Sequence, residues 1–151
     1  MEIADLIKQS NVVCGLRASS KEQLLHELAS RAAASLNRDQ SAIFNALQSR
    51  EKLGSTGIGE GIALPHARIE GLDRFFGIFA RLSRPMDFES IDGVPVDLVF
   101  LLLIPAAEQE GHLAALAAIS RQLRDKTIAA KLRKAADAAE LSKILCAPQH
   151  P

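Results

Sequence analysis

The chain contains neither tryptophan nor tyrosine, and its only aromatic side chains are six phenylalanines among 151 residues. That scarcity leaves no aromatic platform on which nucleic-acid bases could stack. An excess of charge of one sign is lacking too: 18 basic residues balance 18 acidic ones, for a formal net charge of zero. The balance supplies no broad field for capturing nucleic acid or an anionic membrane surface. The two cysteines, Cys14 and Cys146, lie far apart, and no C-x-x-C or H-x-x-x-H spacing occurs. A zinc site is therefore not expected, and two unpatterned thiols suit a reducing compartment. No long hydrophobic run is present either. The longest, Leu98 to Ile104, is far too short to span a bilayer, and Met1 to Ser10 lacks the basic start and apolar stretch of a signal peptide. These absences predict a cytoplasmic protein with no nucleic-acid partner and no membrane insertion.

What the chain does have is apolar mass: 48% of its residues are hydrophobic, enough for one compact domain with a substantial core. Asp5 to Ser10 reads as one helical turn, and Val12 to Cys14 as a short strand ended by Gly15. Ser19 or Ser20 can cap a helix running to Leu36, whose Leu24, Leu25, Leu28, Ala29, Ala32 and Leu36 repeat at helical spacing. A second helix spans about Asp39 to Leu53 with Ile43, Phe44 and Leu47 inward, stopped by Gly54. Strands are expected at Ile62 to Leu64 and Phe75 to Leu82. Val96 to Ile104, mostly valine and leucine, is the clearest buried strand, and Pro105 ends it. Three helices follow: Glu108 to Arg124 with Leu113, Leu116, Ile119 and Leu123 as its stripe, Asp125 or Thr127 to Ala135, and Asp137 to Leu145. The tail from Pro148 is expected to fray. One mixed β-sheet flanked by helices on both faces, an α/β single domain, accommodates this order.

Chemistry concentrates between Arg50 and Arg68, which reads R-E-K-L-G-S-T-G-I-G-E-G-I-A-L-P-H-A-R. The glycine-rich stretch has no Gly-Lys-Ser/Thr ending, misses the G-x-G-x-x-G spacing and follows a helix, so it is not a nucleotide loop. A flexible connection is one reading of it. The other is an anion cradle, since glycines free backbone N–H groups to point at an anion and Arg50 and Arg68 could grip phosphate oxygens.

Four histidines are present. His26 lies off the apolar stripe of the first helix near Glu22 and reads as a solvated residue; His150 sits in the tail as a bystander. His66 ends an apolar run, where a side chain can be held firmly yet face a cleft. A neutral imidazole there offers a nitrogen nucleophile, and the plainer alternative is a satisfied, half-buried ring. His112 falls in the first turn of a helix, an end that favours anions. It either donates an N–H to a phosphate on His66 or simply packs beside Leu116. A serine hydrolase built on Ser55 fits poorly, because no G-x-S-x-G elbow is present.

Arg50-Glu51-Lys52-Leu53-Gly54-Ser55-Thr56-Gly57-Ile58-Gly59 followed by Gly61-Ile62-Ala63-Leu64-Pro65-His66 closely resembles the IIA domain of the bacterial phosphoenolpyruvate-dependent phosphotransferase system, fructose/mannitol type. Val94 to Phe100 resembles that family's strand entry, and Glu110-Gly111-His112-Leu113 resembles the setting of its second histidine. The likeness covers nearly the whole chain and implies a IIA domain over residues 1–147 with a flexible tail at 148–151. Pro65-His66-Ala67-Arg68, with no fused domain in the sequence, is most similar to the stand-alone nitrogen-regulatory branch. The resemblance implies that His66 takes a phosphoryl group on Nε2 from the phosphohistidine of an HPr-type carrier (NPr in the nitrogen branch). His112 would donate a hydrogen bond to it, and Arg50, Ser55 and Thr56 would hold its oxygens. Gly54, Gly57 and Arg68 would support the site, with no metal or other cofactor. The implied output is phosphorylation-dependent binding of regulatory partners, potassium transport and sensor kinases among them. The alternatives are a sugar-specific component passing phosphate to a separate IIB domain, and a non-catalytic adaptor.

Overall fold

A computed structural model describes residues 1–147. The expectations for His150 and for the tail from Pro148 lie outside the described residues. A 3-10 turn at Ile3–Asp5 leads into β1 (Ile7–Leu16), followed by α1 (Lys21–Leu36) and α2 (Gln40–Lys52). Three short strands come next: β2 (Gly57–Gly59), β3 (Ile62–Ala63) and β4 (His66–Ile69). The long strands β5 (Phe76–Met86) and β6 (Val96–Pro105) complete the sheet, and α3 (Gly111–Arg124), α4 (Lys126–Lys134) and α5 (Ala138–Leu145) close the chain.

The sheet has 6 strands in the order β1-β5-β6-β3-β2, with β4 also lying on β6. It is mixed: β1 runs parallel to β5, β5 antiparallel to β6, and both β3 and β4 parallel to β6. Alternation along β6 shows why helices cover both faces. Val99, Leu101 and Leu103 join Leu24, Leu28, Ile43 and Leu47 of α1 and α2 on one side. Leu98, Phe100, Leu102 and Ile104 join Ile119, Leu123, Leu132 and Leu141 of α3 to α5 on the other. A strand buried on both faces needs apolar residues at every position, and each fully buried Leu, Ile or Phe contributes about 1.5–3 kcal/mol.

The expected α/β architecture is present, with local differences. The helical turn lies at Ile3–Asp5, and Ile7 to Ser10 belong to β1. β1 is an edge strand, so Lys8, Gln9 and Ser10 stay exposed and break the apolar alternation. β2 and β4 had no strand signal. Ser20 does cap α1, accepting from the backbone N–H of Gln23, and Asp39, Asp125 and Asp137 cap α2, α4 and α5. His26 is exposed as expected, but its ring stacks on Phe44 of α2 at 3.6 Å rather than pairing with Glu22. Leu113 does not share the α3 stripe. It stands 67% exposed, because it lies about 200° around the helix from buried Ala115.

Candidate functional site

The site is built on a break in the sheet. β3 pairs Ile62 with Leu98 and Ala63 with Val99, and β4 pairs His66 with Leu102 and Ala67 with Leu103. The register is the same on both sides of Leu64-Pro65, and the Pro65 carbonyl accepts the Leu102 N–H at 3.0 Å, so the interruption does not slip the pairing with β6. Proline has no N–H to give the ladder. The Leu64 carbonyl turns instead to the imidazole of His66, 2.9 Å from Nδ1.

That contact decides the chemistry of His66. A carbonyl oxygen only accepts, so Nδ1 carries the proton and Nε2 of the neutral ring keeps its lone pair. The Arg50 Nε–H donates to Nε2 at 3.3 Å, and Arg50 Nη1 donates to the Gly54 carbonyl at 2.9 Å. Burial is the largest influence on the His66 pKa, and with the nearby Arg50 and His112 it holds the value below the ordinary imidazole range. The Leu64 carbonyl and Glu51 act in the opposite direction without prevailing. His66 is thus a neutral imidazole with its free nitrogen facing an arginine.

His112 approaches from the other helical layer. It is the second residue of α3, and Arg68 Nη2 lies 3.0 Å from its Nδ1. Arginine has no acceptor, so Nδ1 of His112 accepts and its Nε2 bears the proton. Arg68 Nη1 also donates to the carbonyls of Ala106, at 3.2 Å, and Glu108. The site therefore joins α2 through Arg50, β4 through His66 and Arg68, and α3 through His112.

The glycine-rich loop is braced from beneath. Glu51, 9% exposed, accepts the backbone N–H and the hydroxyl of Thr56 and forms an ion pair with Lys21 at 2.7 Å. Lys21 Nζ also sits over the Phe88 ring, 4.7 Å from its centre. Ser55 donates its hydroxyl to the Phe88 carbonyl at 3.2 Å and accepts from the Gly57 N–H at 3.1 Å. Both loop hydroxyls are thus bonded within the protein in this conformation, and Thr56 is buried. Gly57 is required by close approach, since a Cβ there would collide with the Ser90 side chain. Glu60 and Gly61, between β2 and β3, both have positive φ, as a type I′ hairpin turn demands. Asp92 accepts the Glu60 N–H at 2.9 Å, a contact that lowers its own carboxyl pKa.

Sequence reasoning singled out Arg50, His66, Arg68 and His112, and the structure brings them together. It passed over Glu51 and Lys21. A carboxylate directly after Arg50 on the inner side of a helix was the available signal, but spacing alone does not reveal the partner on α1. Leu53 (84% exposed), Ile91 (95%) and Leu113 (67%) are large exposed hydrophobics, on the segments that carry Arg50, Ser90 and His112. Among the described residues, no three His, Cys, Asp or Glu side chains gather as a metal site would require. No described helix is long and apolar enough to cross a membrane.

Residues 5–147 match the family described as phosphoenolpyruvate-dependent sugar phosphotransferase system, EIIA 2. A curated relative from Bradyrhizobium diazoefficiens, named nitrogen regulatory protein, is 49% identical over 148 residues, covering 98% of this chain and 97% of its own. The crystal structure of the nitrogen regulatory protein IIA-Ntr from Neisseria meningitidis superposes with a TM-score of 0.89 at 34% identity, covering 95% of this chain and 98% of that one. The IIA mannitol protein of Escherichia coli shares the fold, with a TM-score of 0.74 at 24% identity over 91% of this chain and 97% of its own.

Proposed function

As the chain belongs to the EIIA 2 family of the phosphoenolpyruvate-dependent sugar phosphotransferase system, we propose that it is a histidine phosphocarrier of the nitrogen-regulatory branch. His66 receives a phosphoryl group on Nε2 from the phosphohistidine of an HPr/NPr-type carrier protein. One P–N bond to the donor imidazole breaks and one P–N bond to His66 forms, the donor nitrogen keeping the electron pair. The observation that carries this reading is the Leu64 carbonyl bonded to Nδ1, which supports a lone pair held at Nε2.

Transfer through a loose transition state needs positioning and charge stabilisation above all. Arg50, already at Nε2, is suited to move onto the phosphoryl oxygens as they arrive. The Nε2–H of His112 is suited to donate to the same group. Glu51 and Thr56 keep the Gly54–Gly57 loop in shape, and Ser55 sets its turn. The donor's phosphohistidine supplies the activated phosphorus, so no metal enters the scheme.

The exposed Leu53 and Leu113, near Arg50 and His112 in sequence, and the exposed Ile91 are suited to a carrier or regulatory protein docking by an apolar face. Phosphorylation places roughly −1.5 to −2 charges on His66, by analogy with the hydroxyl phosphates. Partners that accept the bare site and partners that accept the charged one are thereby separated. The test is intact-mass spectrometry after incubation with phosphoenolpyruvate, enzyme I and an HPr-type carrier, beside His66→Ala. One phosphoryl group, acid-labile, alkali-stable and lost in the variant, is the expected result. Equal labelling of His66→Ala would assign the phosphate elsewhere.

A further inference from the structure

We propose that Arg68 is a positioning residue for phosphoryl transfer, one that acts through His112 rather than on the phosphate. The inference rests on the phosphocarrier reading and adds to it the device that orients the second histidine.

Three contacts of one guanidinium carry it. Nη2 donates to His112 Nδ1 at 3.0 Å, and Nη1 donates to the carbonyls of Ala106, at 3.2 Å, and Glu108. The first contact admits one arrangement of the neutral ring. Arginine cannot accept a hydrogen bond, so the His112 proton resides on Nε2 and points away from Arg68. The other two contacts tie the connection between β6 and α3 to strand β4, and so hold the first turn of α3 at its distance from His66. With three donor contacts inside the protein, the guanidinium is committed to this role.

Strand geometry links the pair. His66 and Arg68 are alternate residues of β4, and alternate residues of a strand face the same way. One four-residue strand thereby presents both the nucleophile and the group that aims its hydrogen-bond donor. The two imidazoles are held in opposite tautomers, His66 by a carbonyl at Nδ1 and His112 by a guanidinium at Nδ1. The acceptor histidine shows the phosphorus a lone pair, and the supporting histidine shows the phosphoryl oxygens a proton. Arg50 differs from Arg68 in this respect, since its Nε touches the reacting nitrogen itself.

The experiment compares wild type, Arg68→Lys and Arg68→Met by two readouts. The first is the protonation site of each imidazole nitrogen in 15N-edited NMR spectra of the unphosphorylated protein, which needs no phosphoryl donor. The second is the rate of transfer from a phosphorylated HPr-type carrier, resolved into kcat and KM. In wild type, His112 is expected as a single Nε2–H tautomer. In Arg68→Met its Nδ1 signal moves and the ring samples both tautomers, while His66 stays Nδ1–H. The expected kinetic change in Arg68→Met is a fall in kcat of about tenfold with KM near the wild-type value. Arg68→Lys, which keeps a cationic donor group, recovers much of both signals. A wild-type His112 spectrum in Arg68→Met with transfer still impaired would overturn the proposal and assign Arg68 to the phosphate directly. Wild-type transfer in Arg68→Met would overturn it while leaving the phosphocarrier reading intact. Failure of wild-type protein to label at all would reject both.

Discussion

At the scale of single residues, the site is a matter of where protons sit. Burial holds the His66 pKa below its ordinary value, so the ring stays neutral and nucleophilic on mild acidification. Its NMR titration midpoint is expected below about 6.5, the value of a free imidazole. A midpoint at or above that value would contradict the account. The same shift has a consequence for stability. The unfolded chain takes up this proton before the folded one does, so stability is full above about pH 6.5 and declines as pH falls from there through the folded value. Urea unfolding should show that decline in wild type and a shallower one in His66→Gln; parallel declines would remove His66 as its source. The two arginines should separate kinetically. Arg50→Ala removes a group at the reacting nitrogen and is expected to slow transfer about 100-fold, well beyond the loss in Arg68→Ala. The reverse order in single-turnover rates would exchange their roles. Residue type and spacing left His66 and His112 open between a site and plain packing, and the family resemblance of their segments is what singled them out with Arg50. The Arg68–His112 contact was not legible, because it is a hydrogen bond reaching from β4 to α3. The resemblance implies Thr56 as a phosphate ligand, and in this conformation its hydroxyl bonds to Glu51.

At the scale of elements, the loop between α2 and β2 depends on a buried ion pair. Glu51 and Lys21 link the end of α2 to the start of α1, and Glu51 fastens the loop through Thr56. Removing one partner leaves the other charge poorly compensated, so Glu51→Ala is expected to lose on the order of 3 kcal/mol in urea unfolding. A change under about 0.5 kcal/mol, the range of ordinary surface substitutions, would show that the pair does not brace the loop. Gly57 offers a second test. Gly57→Ala should destabilise by about 1–3 kcal/mol through overpacking against Ser90, and adding Ser90→Gly should return most of it. Additive losses in the double variant would refute the close approach. The helices were readable from periodicity because, Leu113 apart, their apolar positions match their buried faces, and β6 from its unbroken apolar run. β4 escaped because four residues behind a proline show no period. β1 was foreshortened because its outer, exposed residues are polar.

At the scale of the whole molecule, β4 is reached by side chains from both helical layers. α2 brings Arg50 from one face and α3 brings His112 from the other, and β4 sits between them. Exposed Leu53 and Leu113, near Arg50 and His112 in sequence, and exposed Ile91 offer apolar surface suited to a protein partner. A state-dependent partner is therefore expected to bind His66→Asp and unmodified protein with different affinities, measurable by calorimetry. Equal affinities for every partner tried would reject the switch. The layered α/β arrangement was legible from the order of elements. The exposure of Leu113 was not, because it continues a helical apolar pattern and only packing reveals that it faces outward.

The central claim is that the fold holds His66 as an Nδ1–H imidazole so that Nε2 receives the phosphoryl group. The most direct test is 15N-edited NMR of the protein after labelling by a phosphorylated HPr-type carrier, which identifies the nitrogen bonded to phosphorus. The account predicts phosphorus on Nε2 of His66, with Nδ1 still protonated. Phosphorus on Nδ1 of His66, or on any other residue, would contradict it.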